Sequence, residues 1–332
     1  MSESIDYSKE YDNSGRVANS EELVDAYIED AATFREQSRH AQYDLSYGPQ
    51  PRNKLDIFWP RNESDCPIVV FIHGGYWQRL DRSAFSHMAK GLNAVGVAVA
   101  IPSYTLAPDI SVSGIINEMR RTCLTLYQTY KRRLTVIGHS AGGHLAACMI
   151  ATDWQAIHPD LPHDLVASGM GISGIYDLLP LLQTPVNDAL GMDEAAALAA
   201  SPMSWLPDAM QRFEAWVGAE ESSEYHRQSR KLAANWTLLG TPTDYVSVKG
   251  ANHFTIIHDL TKSDSYMVLT ILDLVEKPVQ EIDLPEPDDE EMAAVLAGTY
   301  GIETPDAEES AESEPEDDGE DGQLETDTPE EV

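Results

Sequence analysis

Leu134-Thr135-Val136-Ile137-Gly138-His139-Ser140-Ala141-Gly142-Gly143-His144 decides how the rest of the chain is read. Its first four residues form a short β-prone run, as expected of a strand buried on both faces of a sheet. Gly143–Ala151 follows with a helical pattern. Between them, Gly138-His139-Ser140-Ala141-Gly142 fits G-x-S-x-G, a sharp strand-to-helix turn that pushes a serine outward. Small neighbours keep such a turn free of clashes, and the helix behind it aims backbone N–H groups at a developing anion. The pentapeptide alone would also suit a plain Gly/Ser turn. The strand before it and the helix after it are what give it weight.

Working outward, Pro67 opens the apolar run Ile68–Ile72, which stops at His73-Gly74-Gly75, and Val97–Ile101 is a second continuous apolar run. Further β-prone runs lie at Ser168–Ile172, Phe213–Val217 and Asp244–Val248. Helical patterns cover 83–94, 113–130, 224–234 and 255–275. Continuous apolar strands alternating with helices predict an α/β fold, a mostly parallel sheet with helices on both faces. Tyr43–Tyr47 and Leu55–Trp59, separated by Gly48-Pro49, predict antiparallel edge strands. Asp177–Trp205 is too long for a crossover loop and reads as a cap insertion at about 177–206. The resulting division is a polar, partly helical segment 1–40, a catalytic domain 41–283 and an acidic tail 284–332.

Charge narrows the function classes. The 332 residues carry 22 Lys and Arg against 56 Asp and Glu, net −34. Residues 278–332 hold 22 of the acidic residues and no basic one, leaving residues 1–277 at net −12. Such a surface repels phosphate backbones, so nucleic-acid binding is not expected. The tail cannot bury enough apolar surface to order itself and is expected to be disordered and dispensable for chemistry. Cys66, Cys123 and Cys148 read as small buried hydrophobes. The N-terminal residues lack the basic and apolar regions of a secretory signal, and no run approaches the ~20 apolar residues of a membrane span. A soluble, cytoplasmic protein is expected, with no membrane partner. No metal is expected either, because Gly142 and Gly143 stand where a His139/His144 zinc motif would need an acid. A phosphate loop with Lys is absent and no cofactor is implied.

The chemistry-bearing residues are then placed by what acyl transfer requires. A tetrahedral oxyanion needs unobstructed N–H donors, which the Gly74 and Gly75 amides and the Ala141 amide after Ser140 would supply. A serine needs a base, and the base needs a carboxylate to hold its tautomer. In chain order Ser, acid, His, the base expected is His253, in a loop after the last strand. Glu220 and Glu221, after the strand 213–217, qualify almost equally as the acid, with Asp177 a third option.

These residues resemble the arylformamidase (kynurenine formamidase) branch of the α/β-hydrolases. The resemblance rests on His73-Gly74-Gly75-Tyr76-Trp77-Gln78, on Gly138–Ala146 with Asp153-Trp154, on Val217–Ser229, and on Asn252-His253-Phe254. It spans most of residues 10–275 and implies an α/β-hydrolase fold. The ungapped Val217–Ser229 stretch breaks the tie toward Glu221, where the family usually carries Asp. Ser223 replaces a usual Pro, and the tail has no counterpart. Ser140, His253 and Glu221 would form the triad, and Tyr76 and Trp77 would line an aryl subsite or pack beneath it. The implied reaction hydrolyses an aryl formamide such as N-formylkynurenine to formate and a free arylamine. A carboxylesterase or amidase acting on another aryl ester, amide or carbamate would use the same residues. The partner expected is thus a small aromatic amide or ester, with a homo-oligomer left open.

Overall fold

Eight strands form one sheet in the order β1-β2-β4-β3-β5-β6-β7-β8. They are β1 Ala41–Ser46, β2 Lys54–Phe58, β3 Ile68–Ile72, β4 Ala98–Pro102, β5 Leu134–His139, β6 Val166–Ile172, β7 Arg212–Gly218 and β8 Thr243–Val248. The β1/β2 and β2/β4 pairs are antiparallel and every other pair is parallel. This computed structural model describes residues 5–61, 65–209 and 211–276. The acidic segment 284–332, expected above to be disordered, lies outside the described residues. No helix among the described residues is long and apolar enough to cross a membrane.

Alternation along the strands builds two cores. Ile68, Val70 and Ile72 of β3 face one apolar cluster, while Val69 and Phe71 face the other. All positions of β3, β4 and β5 are buried, which is why these strands read as unbroken apolar runs. The first core is covered by α2 (Val112–Tyr130), α3 (Ala141–Ile150) and α4 (Ser223–Leu238). The second lies under α1 (Ser20–Gln37), the segment 82–94 and α5 (Tyr266–Glu276).

The expected helix over 255–275 is two elements. A 3₁₀ stretch, Thr255–Thr261, ends before α5 begins. Ser265 makes the break, because its Oγ accepts from Val268 N at 3.1 Å and donates to the Asp259 carbonyl at 2.7 Å. A hydroxyl that caps a new helix start outweighs apolar spacing that would run through it. The insertion 177–206 consists of short helical turns, and Gln78 Nε2 ties it down by donating to the Val186 carbonyl at 2.8 Å.

One ion network fastens α1 to the sheet. The Asp56 side chain is fully buried on β2, with Arg35 Nη1 of α1 at 2.5 Å and Arg82 Nε at 3.1 Å. Asp44 N donates to the same carboxylate at 2.9 Å. Removing the carboxylate would leave two guanidinium groups facing an emptied, desolvated site. Asp56→Ala is therefore expected to lower unfolding free energy by roughly 3–5 kcal/mol in urea denaturation. A loss below about 1 kcal/mol, the range of a surface pair, would contradict this.

Candidate active site

Ser140 stands between β5 and α3 at φ 57° and ψ −120°, a backbone region costly for any residue with a side chain. Its N–H donates to the Ile172 carbonyl of β6 at 2.8 Å, which pins the turn to the neighbouring strand. The glycines at its flanks are dictated by contact. A Cβ on Gly142 would lie 1.9 Å from the Ile72 carbonyl oxygen, and one on Gly138 would lie 2.1 Å from the Gly142 oxygen. Helix α3 begins at Ala141, immediately after the serine, so its first N–H groups face the space above Ser140.

His73-Gly74-Gly75 leaves β3 alongside. A Cβ on Gly74 would fall 2.9 Å from Ser140 Cβ, so only glycine lets this loop approach the serine. The Gly74, Gly75 and Ala141 amides donate to no loop carbonyl among the described residues. His73 is clamped between Tyr104 (ring centroids 4.6 Å apart) and Phe85 (5.6 Å) and donates Nδ1–H to the Gly74 carbonyl at 2.8 Å. It props the loop from beneath.

His253 Nδ1 donates to Glu221 Oε2 at 2.7 Å, which leaves Nε2 as the basic nitrogen. The Glu221 side chain is fully buried. Its Oε1 accepts from Ser173 Oγ at 2.5 Å and from Gly218 N at 2.6 Å. Glu220 is exposed. Asp177 faces Arg227, 3.9 Å away, and caps Leu179 N. Of the three carboxylates left open by position, Glu221 is the one hydrogen-bonded to His253. Sequence reasoning missed Ser173, which closes the strand end of β6 and shares Glu221. It also missed His139, whose Nε2 donates to the His253 carbonyl at 2.8 Å. That bond fixes the loop carrying His253.

These groups open into a cavity of about 810 Å³, lined by Gly74, Gly75, Tyr76, His139, Ser140 and His253 among others. Trp77 is not among the lining residues. It is fully buried, its ring centroid 5.1 Å from that of His144 in an edge-to-face contact, so of the two alternatives left open for it the structure has it packing beneath the loop and not lining the aryl subsite. An indole of that size at a positive-φ position in the turn fills the core beneath the loop. A second wall comes from residues that no motif marked. Tyr11, Asn13 and Ser14 line the cavity from the N-terminal segment, and Thr184, Pro185 and Val186 from the insertion.

The strand order, with antiparallel strands at one edge and the strained serine turn at the centre, defines the α/β-hydrolase class, and the protein is a hydrolase. Residues 55–234 match the BD-FAE family model. The kynurenine formamidase of Danio rerio is 30% identical over 270 residues, 78% of this chain and 91% of that one. The kynurenine formamidase of Salmo salar is 33% identical, over 70% and 82%. A crystal structure from Silicibacter sp. tm1040 aligns with a TM-score of 0.73 and 31% identity, covering 81% of this chain and 100% of that one. An esterase of Pyrobaculum calidifontis shares the fold at a TM-score of 0.61 and 17% identity, over 76% and 92%. The chain belongs to the kynurenine formamidase family of α/β-hydrolases.

Burial keeps the supporting imidazoles neutral. It lowers His73, His87 and His144 from the usual 6.5 to about 4 and pushes His139 well below its usual value. In the unfolded chain all four protonate near 6.5, so the unfolded state binds more protons between pH 6.5 and 4. Their stability contribution is present above 6.5 and is lost as pH falls through that window. Glu214 acts oppositely, since burial raises it to about 7 and stability is regained as pH falls toward 4.5. Burial lowers His226 and His258 as well, so six imidazoles against one carboxyl set the sign. The urea midpoint at pH 5 should lie below that at pH 7.5, and an equal or higher midpoint at pH 5 would contradict this.

Proposed function

We propose that this protein hydrolyses aryl formamides of the N-formylkynurenine type, releasing formate and the free arylamine. The observation that carries the reading is the convergence of Ser140, the Glu221-held His253 and the unmatched Gly74 and Gly75 amides on one cavity, with the Ala141 amide directly after the serine. Its volume suits a single aromatic substrate. Family membership supports the formyl group as the acyl part.

In this mechanism His253 Nε2 takes the Ser140 hydroxyl proton as Oγ attacks the formyl carbon. The Gly75 and Ala141 amides, with Gly74, receive the oxyanion, whose charge they meet without reorganisation. His253 then gives its proton to the arylamine nitrogen as the C–N bond breaks. Water, deprotonated by His253 Nε2, then attacks the formyl-Ser140 ester, and formate leaves as Nε2 returns that proton to Ser140 Oγ. Glu221 holds the imidazole in the Nδ1–H tautomer and stabilises its positive charge. Tyr76 lies on the aryl side of the cavity.

The test is steady-state kinetics on N-formylkynurenine beside p-nitrophenyl acetate and butyrate. N-formylkynurenine should be hydrolysed, with butyrate disfavoured roughly 100-fold because its acyl chain exceeds a formyl-sized pocket. Ser140→Ala should lower kcat by roughly 10³-fold or more. Glu221→Gln should lose most activity, while Glu220→Gln and Asp177→Asn keep it. Efficient butyrate cleavage with no turnover of the formamide would overturn the reading.

A further inference from the structure

The His253 imidazole is flanked by Tyr225, whose ring centroid lies 4.9 Å away. The Tyr225 hydroxyl sits 3.0 Å from the Tyr76 hydroxyl. Asn13 Nδ2 reaches both, at 2.8 Å to Tyr225 and 3.2 Å to Tyr76. Proton counting orients this trio. Each phenol has one proton, and Tyr76 donates its own to the Tyr11 carbonyl at 2.5 Å. Toward Tyr225 and Asn13 the Tyr76 oxygen can only accept, so Tyr225 donates to Tyr76 and accepts from Asn13. Both amide hydrogens of Asn13 are thereby used. Its carbonyl oxygen must point away from the phenols, and no donor meets it among the described residues. Asn13 is 5% exposed and lines the cavity that holds Ser140 and His253.

We propose that Asn13 Oδ1 accepts the N–H of the scissile amide, and so selects N-formyl arylamines over aryl formate esters. The assignment rests on the formamidase reading above. A formanilide carries one N–H on its leaving nitrogen, and that hydrogen needs an acceptor once the substrate leaves water. As Ser140 attacks, the nitrogen loses conjugation with the formyl carbon and takes its proton from His253. The growing positive charge strengthens the N–H···Oδ1 bond toward the transition state, where it counts most for rate. An aryl formate presents an ether oxygen there, with lone pairs and no hydrogen. The N-terminal segment that delivers Asn13 is itself anchored to α4. Glu10 accepts from Ser223 Oγ at 2.7 Å and Glu224 N at 3.0 Å, and Tyr11 donates to Glu224 at 2.9 Å.

The test compares kcat/KM for N-formylaniline and phenyl formate, corrected for spontaneous hydrolysis, in the wild-type protein, Asn13→Ala and Asn13→Asp. Asn13→Ala should lower the amide-to-ester ratio about tenfold or more, the size expected of one hydrogen bond. Asn13→Asp keeps an acceptor oxygen and should hold the ratio within about threefold of wild type, a free-energy change under 1 kcal/mol. If Asn13→Ala does not fold, Asn13→Leu, of similar volume, carries the same comparison. Equal losses on both substrates would make Asn13 a prop for the tyrosines and overturn the assignment. So would an Asp variant that loses the ratio as Ala does, since the amide nitrogen rather than the oxygen would then face the substrate. A wild-type protein that cleaves phenyl formate but not N-formylaniline overturns the formamidase reading and this assignment together. The two failures are separable because the first is read on wild type and the second on the variants.

Discussion

The short bond from His253 Nδ1 to the buried Glu221 carboxylate is the interaction on which the rest of the site depends. A carboxylate withdrawn from water is tolerable only when its oxygens are filled. Here Ser173, Gly218 N and His253 fill them from the ends of three adjacent parallel strands. Only a parallel arrangement brings the carboxyl ends of β6, β7 and β8 to one edge in this way. The same edge carries Ser140 after β5 and the glycine loop after β3. The turn supplying Glu221 is folded tightly enough that a Cβ at Gly218 would meet the Ala251 oxygen at 2.5 Å and Glu221 Oε1 at 3.0 Å. The longer carboxylate at this position is thus held by a glycine turn and a serine from the next strand.

The sheet supplies only one side of the cavity. Its other wall comes from the N-terminal segment and from 184–186 in the insertion, both fastened by side-chain bonds. Gln228 of α4 accepts from Asp177 N at 2.8 Å and donates to the Asp177 carbonyl at 2.9 Å, and it also donates to the Tyr11 hydroxyl. One buried amide therefore joins the insertion, the N-terminal segment and α4. The Asp56 network does comparable work for α1 at the far edge of the sheet. Together these polar clusters set the shape of a pocket that sheet topology leaves open.

What could be read from the sequence follows the reach of each signal. The serine turn and the glycine loop were legible because steric demands within a few residues dictate glycine at 74, 138 and 142. The strands were legible because burial on both faces makes the apolar runs continuous. The acid was not resolved by position. Glu220 and Glu221 are adjacent, and the turn decides which points inward, so a family resemblance was needed to prefer Glu221. Trp77 was ambiguous because an aromatic beside an oxyanion loop can line a pocket or support its floor. Asn13 and Tyr11 were invisible for a different reason. Their partners on α4 lie 212 and 213 residues away, and a polar pair at that separation leaves no periodicity. The break at Ser265 was hidden by apolar spacing that continues across it.

The central claim is that His253, held by Glu221, activates Ser140, and the most direct measurement is the rate and position of covalent labelling by a fluorophosphonate. Such a probe needs the serine, its base and the oxyanion donors but no particular leaving group, so it reports the machinery apart from the substrate. The account predicts a single labelled residue, Ser140, with labelling abolished in His253→Ala and slowed by roughly 10² or more in Glu221→Gln. Labelling at another residue, or a Glu221→Gln protein labelled at the wild-type rate, would contradict it.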